Sequence, residues 1–183
     1  MDRALRPADP ELVTAARASL RDVPDFPRPG ILFKDITPLL ADASLFPRLT
    51  AAMAAPFDGR GVTHVAGIES RGFILGAPVA QHLGAGFIPL RKPGKLPHRT
   101  RRVDYALEYG TDALEAHDDA CGQHSRVLLV DDVLATGGTA AAACALLDAL
   151  DAEVVGCSFL LAIEALGGAA RLPGRELATL LRV

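Results

Sequence analysis

Tryptophan is absent from this 183-residue chain, and aromatics of all kinds make up only 5% of it. That leaves little for stacking bases on an open platform. An excess of positive charge is missing too: 19 Lys and Arg against 22 Asp and Glu give a formal net charge of -3. Nucleic acid and membrane surfaces attract basic patches, so neither is indicated as a partner. Cysteine is scarce. Cys121, Cys144 and Cys157 are widely spaced, with no C-x-x-C or H-E-x-x-H pattern, which argues against zinc, and an odd count argues against a disulfide framework. Cys144 and Cys157 read as core fillers on a helix and a strand. No apolar run approaches the roughly 18 residues that a membrane span needs, and the charges spread through Met1 to Leu20 do not resemble a secretory leader. Repeats, low-complexity tracts and a second-domain boundary are also missing. The expectation is one cytoplasmic domain over residues 1–183, half of it apolar and long enough to bury a core.

What is present centres on Arg126 to Leu150. Val127-Leu128-Leu129-Val130 is a short continuous apolar run, as in a strand buried on both faces. An Ala/Leu-rich segment from Ala140 to Leu150 favours a helix. Between them lie Asp131, Asp132 and the loop Ala135-Thr136-Gly137-Gly138-Thr139. A strand entering a helix through glycines leaves backbone N–H groups unpaired beside the positive end of the helix dipole, which makes an anion site. Thr136 and Thr139 add hydroxyl donors. Two carboxylates suit the opposite task of accepting hydrogen bonds from sugar hydroxyls. Phosphate and polyol together describe a sugar phosphate.

Taken in order, Asp9-Pro10-Glu11 reads as a cap, a first-turn proline and a first-turn acid, opening an amphipathic helix through Leu12, Val13, Ala16 and Leu20. Val23 to Gly30 holds too many prolines for a helix or a central strand, so it should run rigid and extended, and its apolar-aromatic sequel Ile31 to Pro38 reads as a piece pinned against something. Ser44 to Ala55 is a second helix and His64 to Ile68 a strand. Glu69 to Gly72 is a tight loop, Phe73 to Leu83 a helix with Pro78 inside, and Gly86 to Leu90 a strand. This alternation implies an α/β fold, a mainly parallel sheet flanked by helices. Arg91 to Arg102 carries six cations and two prolines and cannot be core, so it reads as a lid or binding loop. Tyr105 to Tyr109 and Ala113 to Glu115 suggest a β-ribbon turning at Gly110-Thr111-Asp112. A strand from Val154 to Ile163, a Gly167-Gly168 turn, a short helix and a strand from Glu176 to Leu181 finish the chain.

Other phosphate and nucleophile motifs fail. No lysine follows the glycines at Thr136 to Cys144, so there is no Walker A loop, and Gly84-Ala85-Gly86 opens no helix. Gly67 to Gly72 misses the G-x-S-x-G spacing by one residue, which disfavours Ser70 as a nucleophile. Val127 through Thr139, by contrast, resembles the signature of the type I phosphoribosyltransferases. Val23-Pro24-Asp25-Phe26-Pro27, Pro29 to Pro38, Glu69 to Phe73, Arg91 to Pro97 and Leu107 to Thr111 are similar, in the same order, to blocks of the adenine phosphoribosyltransferase family.

That resemblance implies the type I phosphoribosyltransferase fold, with a small N-terminal hood at about residues 20–40 and a flexible basic lid at about 91–112. It implies transfer of a phosphoribosyl group from phosphoribosyl pyrophosphate to N9 of adenine, giving AMP and pyrophosphate in purine salvage. Mg²⁺ would be the cofactor, held mainly by substrate and water rather than by protein ligands. Ala135 to Thr139 would cradle the 5′-phosphate, and Asp131 and Asp132 would hold the ribose hydroxyls. Glu69, Ser70 and Arg71 would form the pyrophosphate loop, in which the family often has a non-proline cis peptide. Arg91 and Lys95 would reach the pyrophosphate from the lid. Glu108, with Tyr109 beside it, would manage the N9 proton. Phe33 would stack on the base, backbone groups of Leu32 and Lys34 would read its edge, and Ile163 would lie opposite. Lys34 stands where relatives often carry arginine. Glu108, Arg71 and Lys95 are thus the candidate catalytic groups.

Two alternatives stay open at this point. One is a phosphoribosyltransferase for another purine, such as xanthine or hypoxanthine. The other is a non-catalytic regulator that senses phosphoribosyl pyrophosphate, although such regulators usually add a DNA-binding domain for which this chain has no spare residues. Relatives are commonly homodimers, so a homodimer is expected.

Overall fold

The computed structural model describes residues 9–106 and 111–183. Helix α1 spans Pro10–Ser19, and the Asp9 carboxylate caps it by accepting from the Glu11 N–H at 2.9 Å. Its Leu12 and Ala16 are buried. The proline-rich hood folds as a two-stranded antiparallel ribbon, β1 (Arg21–Pro24) against β2 (Leu32–Asp35). Asp22 and Lys34 pair across it at 2.6 Å, and Phe26 meets Phe33 edge to face at 5.1 Å. Thr37–Ala41 forms a short helix, α2, because Pro38 suits a first helical turn and the Asp35 carboxylate accepts from the Thr37 N–H and hydroxyl, each at 2.9 Å. Helix α3 (Leu45–Ala54) buries Leu45, Leu49 and Met53.

Five further strands form one parallel sheet in the order β4-β3-β7-β8-β9: β3 (His64–Ile68), β4 (Gly86–Leu90), β7 (Arg126–Leu134), β8 (Glu153–Ala162) and β9 (Leu177–Arg182). Helices α4 (Arg71–Leu83) and α5 (Gly138–Ala149) cover opposite faces. Within β7, Val127 and Leu129 pack with α5, and Leu128 and Val130 with α3 and α4, the alternation expected of a strand buried on both sides. Cys144 of α5 and Cys157 of β8 are both buried, their sulfurs 3.7 Å apart. Among the described residues no helix is long and apolar enough to cross a membrane.

Three expectations need correction. Strand β7 runs on past Val130, with Asp131 opposite Phe159 and Leu134 opposite Ala162, so the two acids belong to the strand and not to the turn after it. The ladder needs only backbone, and side chains at a strand's carboxyl end are free to be charged. The lid ribbon is also longer than expected. β5 (Thr100–Ala106) pairs with β6 (Thr111–His117), so Arg101 and Arg102 are strand residues, and Thr111 and Asp112 lie opposite Ala106 and Tyr105 rather than in a turn. A two-stranded ribbon buries one face only, and its outer face tolerates charge; Arg102 pairs there with Asp104 at 2.6 Å while Leu114 and Ala116 are buried. Finally, the short helix after Gly167-Gly168 is a pair of 3₁₀ turns, Glu164–Leu166 and Gly168–Arg171.

Candidate active site

β3 leads outward to β4 on one side, while β7 leads to β8 and β9 on the other. The strand order therefore reverses between β3 and β7, and α/β folds bind ligands at the carboxyl ends of such a pair. A cavity of about 320 Å³ lies there, walled by the Glu69–Arg71 turn after β3 and by Asp131 to Ala140.

The anion wall is backbone. α5 has no side-chain cap, so the N–H groups of its first turn find no partner within the helix. Gly137 stands before it at φ +80, and a Cβ there would come within 2.3 Å of the Gly168 carbonyl oxygen. Only glycine meets both conditions. Gly168 in turn has its Cα against the Ala135 carbonyl, where a Cβ would sit at 2.2 Å, so the turn after β8 backs the loop. On the other side the Glu69–Ser70 peptide is cis, and Gly72 lets α4 approach β7: a Cβ would lie 2.8 Å from the Val130 oxygen and 3.0 Å from Asp131 Oδ1.

The acids are unequal. Asp132 is only 5% exposed, and its carboxylate is paired with the Arg71 guanidinium. Burial, followed by the neighbouring Asp132 charge, pushes the Asp131 carboxyl well above the ordinary range, although it accepts the Asp132 N–H at 2.9 Å. Hydroxyl donors or a cation would favour its ionised form. Among the described residues no group of three or more His, Cys, Asp or Glu could hold a metal ion. Two adjacent carboxylates are nevertheless the oxygen donors a hard divalent cation takes when its remaining ligands come from substrate and water.

Arg71 joins the acids to the hood, with its guanidinium carbon 5.9 Å from the centre of the Phe33 ring. In the hood, Pro24 lacks an N–H, so its pairing with Leu32 is the kind without ladder bonds. Ladder bonds then fall on Val23 and Phe33, and the backbone groups of Leu32 and Lys34 face the other edge of the ribbon. The Lys34 ammonium itself is taken by Asp22.

Of the sequence candidates, the structure brings Glu69, Ser70, Arg71, Asp131, Asp132 and Ala135 to Thr139 around one cavity. Leu32, Phe33, Lys34, Arg91, Lys95 and Ile163 do not line it. Ile163 follows β8 directly, with its N–H on the Leu134 carbonyl at 3.0 Å. Glu69 is braced from behind: it accepts from the Lys92 N–H at 2.9 Å and pairs with Arg91 at 3.2 Å. The Lys92 N–H does most to hold its carboxyl below the usual value, with Arg91 and Lys95 adding and burial opposing. Arg91 also donates to the Lys95 carbonyl at 3.1 Å, and Lys95 is exposed. Glu108 and Tyr109 lie outside the described residues.

Two residues escaped the sequence reading. Gly168 appeared only as a turn former, although a second Gly-Gly pair after the next strand was a usable sign. Lys92 lines the cavity yet was one cation among six in the lid. Burial opposes its charge, but bonds to Asp112 and the Tyr105 hydroxyl outweigh that and raise its pKa.

Comparison with known proteins agrees with this geometry. Residues 48–170 match the model of the phosphoribosyl transferase domain family. The chain is 60% identical to an adenine phosphoribosyltransferase of Myxococcus xanthus over 94% of both sequences. A crystal structure of adenine phosphoribosyltransferase from Rhodothermus marinus superposes with a TM-score of 0.91 at 48% identity, covering 96% of this chain and 100% of the other. The Saccharomyces cerevisiae enzyme, solved with an imino-altritol bisphosphate and adenine, superposes with a TM-score of 0.88 at 36% identity, covering 93% of this chain and 99% of the other.

Proposed function

The chain belongs to the adenine phosphoribosyltransferase family, and from that premise we propose how its residues carry the phosphoribosyl group from phosphoribosyl pyrophosphate to N9 of adenine, releasing AMP and pyrophosphate. The observation that carries the reading is the single cavity in which an uncapped helix N-terminus faces a pair of strand-end carboxylates. Unpaired N–H groups and the helix dipole suit the 5′-phosphate, and Asp131 and Asp132 suit the ribose hydroxyls. A regulator could share this cavity. The match to enzymes over nearly the whole chain favours turnover.

Pyrophosphate belongs on the other wall. The turn at Glu69 to Arg71 offers backbone donors and a guanidinium able to grip a phosphate bidentately. Asp132 now shares that guanidinium, and a pyrophosphate carrying more charge competes for it. Glu69 acts through Arg91 and Lys92, holding the root of the lid where Lys95 and Lys92 can meet the same anion. As the glycosidic bond to pyrophosphate breaks, negative charge grows on the leaving group, and preorganised cations stabilise it there. Mg²⁺, carried in on substrate oxygens beside Asp131 and Asp132, would add charge neutralisation for that leaving group.

The base enters from the hood side. Phe33 offers a ring face, the backbone groups of Leu32 and Lys34 offer an edge, and Ile163 closes the far side. Glu108 takes the proton from N9, with Tyr109 beside it. Lid closure over these groups keeps water from the activated sugar. We also place two chains in a dimer, supported by the half-exposed Ile74 on α4 beside the pyrophosphate turn, and assign the enzyme to the cytoplasm, where free thiols persist. A solution mass near one 19.2 kDa chain would refute the dimer.

The test of the reaction is direct. Mixed with phosphoribosyl pyrophosphate and Mg²⁺, the protein should release pyrophosphate with adenine and much less with hypoxanthine or xanthine. No release with adenine would end this reading.

A further inference from the structure

Lys92 lies two residues beyond β4 and lines the cavity, whereas Lys95 in the same segment is exposed. Its backbone is pinned on both sides. The Lys92 N–H meets Glu69 at 2.9 Å, and the preceding Arg91 exchanges backbone bonds with Glu115 of β6 at 2.8 and 2.7 Å. The side chain is pinned as well. Its ammonium donates to the Tyr105 hydroxyl at 3.0 Å and to the Asp112 carboxylate, and lies 5.5 Å from the centre of the Tyr105 ring. Tyr105 donates to Asp112 at 3.2 Å, and the two residues are directly opposite in the β5/β6 register.

An ammonium has three N–H donors, and these partners take two of them. A lysine stem left loose in a lid would lose its rotamer freedom on gripping an anion, and here that loss is taken on folding instead. Neither Asp112 nor Tyr105 lines the cavity, so the carboxylate stands behind the ammonium rather than in the path of an incoming anion. The geometry points to Asp112 and Tyr105 as positioning residues that hold the Lys92 ammonium for the pyrophosphate group of the substrate and make the stem of the lid part of its binding site. This rests on the reading of the cavity as a phosphoribosyl pyrophosphate site.

Calorimetric titration with Mg²⁺ and inorganic pyrophosphate tests it without depending on turnover. Asp112→Ala should weaken binding about tenfold, as expected for loss of one charge-assisted hydrogen bond, and Asp112→Asn should fall between it and the parent because it keeps an oxygen acceptor. Tyr105→Phe, which preserves ring and ribbon packing, should weaken it about threefold. Lys92→Ala should bind as poorly as the Lys92→Ala/Asp112→Ala pair, since Asp112 acts only through the lysine. Equal or tighter binding by Asp112→Ala, or the same loss whether or not Lys92 is present, would overturn the assignment. Pyrophosphate binding that follows this pattern in a protein unable to turn over adenine would instead overturn the proposed reaction and leave the positioning intact.

Discussion

The two sides of the cleft are built differently. Along the end of β7 and the turn into α5, the anion wall is backbone held in a five-stranded parallel sheet, with Gly137 and Gly168 so close that no side chain fits between them. Beside it, the hood and the stem of the lid are two-stranded ribbons, β1/β2 and β5/β6, and groups in and next to them are placed by side-chain pairs: Lys34 on Asp22, Arg91 on Glu69, Lys92 on Asp112. The hood ribbon leaves Leu32 half exposed, whereas the lid ribbon buries Leu114 and Ala116 in the core and is tied to Arg91 by the Glu115 backbone. On the proposed reading, the part of the substrate that does not react lies against the backbone wall, and the parts that change, the base and the leaving group, meet side chains held by ion pairs.

The severest way to break this contrast is at the lid. Glu108→Gln should lower turnover by about 10²–10⁴-fold, the usual worth of a positioned acid or base, with little change in affinity for phosphoribosyl pyrophosphate. Steady-state kinetics with unchanged turnover would remove Glu108 from the mechanism. Arg71→Gln comes next: a turnover loss of about 10²–10³-fold is expected for one electrostatic donor to a developing anion. Equal turnover would show that the pairing with Asp132 is structural alone. Smaller is Phe33→Leu, for which the KM for adenine should rise about tenfold while the KM for phosphoribosyl pyrophosphate stays put, as loss of base stacking implies.

The mildest effect concerns the rigid wall and runs opposite in stability and activity. Folding raises the Asp131 carboxyl above its ordinary 3.8, so the folded state binds the proton more tightly than the unfolded chain. Its contribution to stability is fully present below pH 3.8 and is lost as pH rises through the folded value. Asp131→Asn should therefore raise Tm by about a few degrees at neutral pH, lose that advantage in acid, and bind substrate worse. Thermal denaturation from pH 4 to 8 checks this; a lower Tm at neutral pH would show the carboxylate to be stabilising.

The rigid wall was also the more legible in sequence. An apolar run, two acids, glycines and an alanine-rich helix are local signals, and only the acids moved, from the turn into the end of β7. The ribbons were harder because their cues conflict. The short helix α2 was not read from the sequence, although Pro38 is welcome in its first turn. Arg101 and Arg102 looked like loop because core strands exclude charge, yet they are exposed residues near the start of β5, with Arg102 on the outer face of the ribbon. Lys92 was hidden for the same reason. Its partners Tyr105 and Asp112 become neighbours only in the β5/β6 register, which the sequence reading had divided into a strand and a turn. Contacts set by strand register leave no trace in composition.

The division of labour is tested most directly by comparing ribose 5-phosphate binding with turnover in one variant, Phe33→Leu/Glu108→Gln. The account predicts a dissociation constant within about twofold of the parent while adenine-dependent pyrophosphate release falls at least about 10²-fold. A loss of ribose 5-phosphate affinity that parallels the loss of turnover would contradict it.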